Sequence, residues 1–407
     1  MEDNHPSGLR ISPADRLMPQ EEMLELVRQR SSLTIGVPRE ISLQENRIPL
    51  VPDGVALLFR NDHQVIMEAG AGITAHFTDH EYSEAGCQIV QSASEVYKAD
   101  IILKVGPLTQ EEMNWLRPKQ TVISTLQMSV QKEDYFRGLL AKKVTALAFE
   151  MIRDRTKQLA VTRAMSEIAG STSISIAAEY LAHAEYGRGK MFGGYTGISP
   201  SEVVIIGAGT VAEFAARSAL GVGALVKVFD NSVYRLRRIQ NNLGQRIFTS
   251  ILHPKVLLES MRSADVVIGA IHSPEGKTPC IITEEMVKQM KEGSLIIDVS
   301  IDQGGCFETS RPTSHSNPVY KLHGVTHYCV PNIPSRVPHT ASQALNNIFV
   351  PIILNMGING GIGNLLKLDL GVRHGVYVYN GVITNLFISK QFNLPFQDID
   401  LLMAAFH

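Results

Sequence analysis

The stretch from Ser201 to Asp230, SEVVIIGAGTVAEFAARSALGVGALVKVFD, restricts the folds open to this chain more than any other. The apolar run Val203–Ile206 is short and β-branched, which suits a strand rather than a helix. Gly207, Gly209 and Ala212 follow in the spacing G-x-G-x-x-A, and Thr210 opens a helical pattern with Phe214, Ala215 and Leu220 on one side. A second, mostly apolar run, Val226–Phe229, ends in Asp230.

Each position has a mechanical reason. Gly207 permits a tight strand-to-helix turn, and Gly209 carries no side chain to keep a pyrophosphate from the backbone. A small residue at Ala212 lets helix and strand pack closely, and the free N–H groups of the helix start, at Thr210 and Val211, face the phosphates. Asp230 falls about 20 residues further on, where a carboxylate accepts both ribose hydroxyls. A structural glycine turn explains the loop alone. It does not explain strand, turn, helix, second strand and terminal acid in register, so a dinucleotide is expected here.

Charge selects which one. A 2′-phosphate beside Asp230 would place like charges at about 4 Å, at a cost of roughly 1–4 kcal/mol near a protein surface. Arg235, Arg237 and Arg238 are near enough in sequence to offset part of this, although their spacing also suits a solvated helix face. NAD is the expected cofactor.

The 407 residues allow two domains of ordinary size. With 38 basic and 40 acidic side chains there is no electrostatic footprint for nucleic acid or anionic lipid. Cys87, Cys280, Cys306 and Cys329 lack C-x-x-C spacing, which argues against a structural metal and suits a reducing cytoplasm. The opening MEDNHPSGLRISPADR has no apolar core and reads as no secretory signal. Val337–Leu366 carries no Lys, Arg, Asp or Glu, but prolines, asparagines and glycines interrupt it, so a buried helix is expected and no membrane span.

In chain order, residues 1–32 read as an arm in which Pro19 starts a helix with Met23, Leu26 and Val27 on one face. Residues 33–160 alternate apolar runs (Leu33–Val37, Val65–Met67, Ile101–Val105, Thr121–Leu126, Val144–Ala148) with helix candidates, the pattern of a parallel sheet covered on both faces. A helix over Thr162–Tyr186 and a glycine-rich loop, Met191–Ser199, lead into the dinucleotide domain, 161–337. Further runs at Ile247–Leu252, Val266–Ala270, Leu295–Val299 and His327–Val330 bring that domain to six strands. Residues 338–407 read as helix to about Leu354, a loop, and a helix near Ile383–Gln391 that returns to the first domain. The fold class is α/β: two doubly wound, Rossmann-like parallel-sheet domains with the active site in the cleft between them.

Ligands bind such sheets beyond the carboxyl ends of the strands. Lys104, His272 with Ser273, Asp302 with Gln303, and Asn332 stand at such ends, and Arg47 follows the first strand. Read singly, each is equally a surface charge or a cap.

The segments TIGVPREISLQENRIPLVPDGV, IILKVGP, MSEIAG, GAGTVA and above all DVSIDQGGCFETSRPT resemble the alanine dehydrogenase family from Leu33 to the C-terminus. Transhydrogenase subunits and, more distantly, saccharopine dehydrogenases share the fold. The resemblance implies reversible oxidative deamination of L-alanine to pyruvate and ammonia with NAD, in a homo-oligomer, a hexamer or a dimer. It implies that Arg47 binds the substrate carboxylate, that Lys104 meets its carbonyl or carboxylate oxygen, and that Asp302 is the active-site aspartate. Asn332 falls near the nicotinamide, and Ser166 joins Gly207–Ala212, Asp230, Arg235, His272, Asp302 and Asn332 in holding the cofactor.

One departure matters. Where the family carries an acid/base histidine, this chain has Gln127 in STLQM. Glutamine forms hydrogen bonds but holds no titratable proton near neutrality, and general acid/base catalysis is worth about 10² to 10⁴ in rate. Asp302 and Lys104 remain for proton traffic. Three readings stay open: a dehydrogenase of alanine, an oxidoreductase of the same fold acting on a bulkier amino acid or imine, and a module that binds NAD(H) without turnover.

Overall fold

Six short strands, β1 (Thr34–Val37), β2 (Gln64–Glu68), β3 (Gln88–Val90), β4 (Ile101–Leu103), β5 (Thr121–Ser124) and β6 (Thr145–Ala148), open the computed structural model, which describes residues 31–41, 44–128, 131–273 and 276–405. They run parallel in the order β3-β2-β1-β4-β5-β6. Alternate residues feed opposite apolar layers: Ile101 and Leu103 face one, Ile102 and Val122 the other. Five of these strands match expected runs; β3 was not foreseen. The helix expected through Met23, Leu26 and Val27 lies outside the described residues.

Helix α1 (Pro52–Phe59) begins on a proline whose missing N–H costs nothing at that position. Helix α2 (Gln110–Trp115) starts from a reciprocal cap between Thr109 and Glu112. The long helix α3 (Ala160–Ala182) then leads to the second sheet.

That sheet holds β7 (Glu202–Ile206), β8 (Leu225–Phe229), β9 (Phe248–Ser250), β10 (Val266–Gly269), β11 (Leu295–Asp298), β12 (Val319–Leu322) and β13 (Val325–Tyr328), in the order β12-β13-β11-β10-β7-β8-β9. All six expected runs are parallel strands, and β12 adds an antiparallel edge to β13. Helix α4 (Thr210–Gly221) follows β7, and α5 (Val233–Leu243) follows β8. At Gly170 of α3 an added Cβ would stand 2.4 Å from the Val211 carbonyl oxygen, so only glycine lets α3 lie this close to α4.

The tail returns to the first sheet. Helix α6 (Pro338–Ile358) runs one turn further than expected and packs Leu345, Phe349 and Ile353 into that sheet's core. Burial accounts for the uncharged stretch: among the described residues no single helix is long and apolar enough to cross a membrane, and α6 meets Ile362–Leu368 at a 104° bend. The helix expected at Ile383–Gln391 is corrected. Here β14 (Val376–Tyr379) and β15 (Val382–Ile383) form a hairpin that pairs antiparallel with β6, and helix α7 (Leu386–Phe392) starts only at its Asn385 cap. Asn380 and Gly381 both take positive φ, 47° and 81°, as a two-residue hairpin turn requires.

Candidate active site

Loops from the carboxyl ends of the two sheets meet along Gln44–Arg47. Gln44 accepts the His315 N–H at 2.7 Å, and the Asn46 N–H reaches the Ser335 hydroxyl at 2.8 Å. Glu45 accepts from the Asn332 side-chain amide at 2.8 Å and from the Ser335 hydroxyl at 3.2 Å. Three consecutive residues of one sheet's loop are thus bonded to the other sheet's.

Arg47 belongs to this seam. Its Nε and Nη2 donate to the two oxygens of Glu45 at 2.7 and 2.6 Å, and its Nη1 lies 3.2 Å from the Met165 sulfur. Burial works to raise the Glu45 carboxyl, but the guanidinium outweighs it and holds the group below the usual range. Glu45 occupies one edge of the fork; the Nη1–Nη2 end still matches a carboxylate.

Lys104, beyond β4, is fully buried. Its ammonium donates to both oxygens of Glu112 at 2.7 and 2.9 Å and lies 3.9 Å from Glu40. Glu40 in turn accepts the Val105 and Gly106 N–H groups. Burial pushes its carboxyl from 4.5 to about 7, despite the opposing pull of Lys104.

Asp302 and Asn332 are joined directly, the Asn332 N–H donating to Asp302 at 3.0 Å. Solvent reaches Asp302, yet the surrounding protein raises its carboxyl above the ordinary range, with the Asn332 N–H and Arg47 acting against this. Asn332 itself holds φ +57°, a left-handed conformation that asparagine tolerates better than most residues. Gln127 also has positive φ, 47°, and its N–H points to Glu150 at 3.3 Å.

Gly207 takes φ +108°, and a Cβ there would stand 2.4 Å from the Ala270 carbonyl oxygen. A Cβ on Gly209 would meet nothing within 4 Å, which leaves open space before α4. No side chain caps that helix start at Thr210, and Ala212 is fully buried. Asp230 accepts the Ala208 N–H at 2.8 Å and the Ser232 N–H at 2.7 Å, with Arg235 3.8 Å away. His272, beyond β10, faces the same patch: partial enclosure, then the Arg235 charge, holds its imidazole below the usual value. A pyridine dinucleotide fits this arrangement, with open backbone for phosphates and a carboxylate for a ribose. Ser166 sits half-buried in α3, one residue after the Met165 that meets Arg47.

The structure therefore brings Arg47, Asp302 and Asn332 to one seam and Lys104 to Glu40 behind it, while Asp230, Arg235 and His272 gather at the glycine loop. Sequence reasoning missed the carboxylates. Glu45 lies two residues before Arg47, Glu112 closes the T-x-x-E cap of α2, and Glu150 stands just beyond β6; only the cap was a readable signal.

Two domain families match the chain: "Alanine dehydrogenase/PNT, N-terminal domain" over residues 36–169 and "Alanine dehydrogenase/PNT, C-terminal domain" over 173–386. The alanine dehydrogenase of Mycolicibacterium smegmatis is 38% identical over 373 residues, which is 91% of this chain and 100% of that one. That of Staphylococcus saprophyticus is 37% identical over 369 residues, 90% of this chain and 99% of its own. A solved L-alanine dehydrogenase superposes with TM-score 0.83 at 35% identity, covering 89% of this chain and 99% of that one. A transhydrogenase from Sinorhizobium meliloti shares the fold at TM-score 0.73 and 22% identity, over 87% and 99% of the two chains. The chain belongs to the alanine dehydrogenase/PNT family.

Proposed function

We propose that this chain catalyses the reversible oxidative deamination of L-alanine to pyruvate and ammonia with NAD; its relatives carry the name alanine dehydrogenase. The observation that carries this reading is the seam itself. A guanidinium held along one edge by Glu45, Arg47, stands beside Asp302 and Asn332 in a chain whose other strand ends hold the Gly207–Ala212 loop. Arg47 grips the substrate carboxylate through Nη1 and Nη2, oriented by Glu45. Lys104, with two of its N–H bonds on Glu112, offers the third to the substrate oxygen. Asp302 and Asn332 bound the opposite side, where a carboxylate and an amide suit an amine or ammonia. The bound nicotinamide supplies or accepts the hydride; the chain binds, orients and moves protons.

Asp230, in the ribose position, favours NAD over NADP. Ser166, Arg235 and His272 are read as further cofactor contacts. The chain divides in this reading into an arm, 1–32, a substrate domain, 33–160 with 338–407, and a cofactor domain, 161–337. Its four free thiols fit a reducing cytoplasm, and a homo-oligomer is expected.

Gln127 favours one competing reading, a module that binds NAD(H) without turnover. An NADH-oxidation assay with ammonia and a panel of 2-oxo acids separates the two. Pyruvate is expected to be the best substrate, with bulkier oxo acids rejected. Binding of NADH without turnover of any panel member would leave the non-catalytic reading, and preference for a large oxo acid would indicate a saccharopine-like substrate.

A further inference from the structure

Gln127 lies three residues beyond β5, where the resemblance implies an acid/base group, and one carboxyl is attached directly to its main chain. Glu150, in the single turn Phe149–Met151 after β6, places Oε1 2.7 Å from the Leu126 N–H, 3.3 Å from the Gln127 N–H and 3.1 Å from the Thr125 hydroxyl. Left-handed Gln127 turns consecutive N–H groups toward that oxygen, the concavity in which anions settle. The second oxygen, Oε2, is buried and has no hydrogen-bond partner among the described residues.

A carboxyl with three donors on one oxygen and none on the other has a use for the second. It either keeps a proton there or exchanges it with a molecule outside the chain. Three other carboxyls near the seam are committed: Glu45 to Arg47, Glu112 to Lys104, and Glu40 to two main-chain N–H groups, while Asp302 accepts the Asn332 N–H and is reached by solvent. Burial raises the Glu150 carboxyl, with the main-chain donors and Thr125 acting against it. The titratable groups packed against it, Tyr135 and Tyr377 of β14, are themselves pushed up by burial and stay protonated near neutrality.

We propose that Glu150 is the group through which this chain exchanges the reaction's proton, filling the role that Gln127 cannot. The inference rests on the amino-acid dehydrogenase reading. With the substrate at the iminium level, water forms a bond from oxygen to the iminium carbon, one of its O–H bonds breaks, and that proton moves to Oε2. The proton then passes to nitrogen, and the C–N bond breaks with its electron pair on nitrogen. The hydroxyl proton released as the carbonyl forms travels by Oε2 to ammonia, which leaves as ammonium. Glu150 ends as it began.

The test compares the full-length protein with Glu150→Gln and with Glu150→Gln combined with Gln127→His. Infrared difference spectra against pH, without substrate, read the carbonyl stretch of a protonated buried carboxyl. One component of that band, beside the one from Glu40, is expected in the wild type and missing from Glu150→Gln. In turnover, Glu150→Gln should lower kcat by about 10² to 10⁴, flatten the pH profile, and leave the KM for NADH within about threefold. The added histidine should restore at least about tenfold of the lost rate. A variant with kcat within about threefold of wild type and an unchanged profile overturns the proposal. So does a loss that tracks thermal unfolding and is not restored by histidine, because the carboxyl then only holds the loop. If the wild type turns over no amino acid, the substrate reading falls. The infrared titration then decides for Glu150 alone: a wild-type spectrum that matches that of Glu150→Gln overturns it, and a titrating component lost in that variant sustains it.

Discussion

Glu45 grips Arg47 by two charge-assisted bonds of 2.6 and 2.7 Å and, from the same carboxylate, reaches across to Asn332 and Ser335. One side chain thus aims the guanidinium and ties the two sheets' loops together. Removing one partner of such a buried pair leaves the other unpaired, at a cost of roughly 3–5 kcal/mol. Glu45→Ala is expected to lower the melting temperature and to raise the KM for pyruvate by about tenfold or more, while the Kd for NADH stays near wild type. Steady-state kinetics with fluorescence titration of NADH checks this. An unchanged pyruvate KM would show that Arg47 does not need Glu45 to face the substrate.

Asp230 governs a second prediction. It accepts the Ala208 and Ser232 N–H groups, which fixes its carboxylate at the mouth of the loop, and Arg235 stands 3.8 Å away. Asp230→Asn removes the charge while keeping the shape, and releases Arg235 for a 2′-phosphate. With about 1–4 kcal/mol of like-charge repulsion removed, the preference for NADH over NADPH should fall by about tenfold or more. Comparing kcat/KM for the two cofactors reads it directly; a ratio unchanged within about twofold would acquit Asp230.

The third concerns pH and stability. Glu40 binds its proton more tightly in the folded chain, with a carboxyl near 7 against 4.5 when unperturbed. Below 4.5 both states hold the proton; between 4.5 and 7 only the folded state does, so stability falls as pH rises through that window. The full loss, reached above 7, is roughly 3 kcal/mol at about 1.4 kcal/mol per unit. Urea unfolding at pH 5 and pH 8 should show this loss in the wild type and a smaller one in Glu40→Gln. Equal slopes in the two proteins would remove Glu40 from the account.

What could be read from the sequence follows the same physics. The central strands are buried on both faces and so appear as apolar runs, which is why β7, β10 and β11 were legible, as was β8 despite its one lysine, Lys227. Edge strands are not: Gln88–Val90 and Val319–Leu322 mix polar and apolar residues because one side meets solvent. The Tyr379-Asn380-Gly381-Val382 hairpin carries a signal, the Asn-Gly pair, within the stretch expected as a loop before the helix at Ile383. Among the candidate site residues, Arg47, Lys104, Asp302 and Asn332 stood out by position beyond strands and by resemblance. Their carboxylate partners did not, since the contact from Asn332 to Glu45 spans 287 positions and exists only once the chain has folded.

Lys104 shows how that hidden layer changes an experiment. Lys104→Met is the direct test of a substrate-binding lysine, but this ammonium is fully buried between Glu112 and Glu40. Methionine would leave Glu112 without its cation, so the single variant is expected to lose roughly 3–5 kcal/mol of stability as well as turnover. Combining Lys104→Met with Glu112→Gln removes both charges of the pair and should recover at least about half of that stability. Turnover should stay absent in the double variant while NADH still binds. Thermal unfolding, NADH fluorescence and the pyruvate assay together separate the two roles. A stable double variant with near-normal turnover would show that Lys104 serves only to neutralise the carboxylates around it.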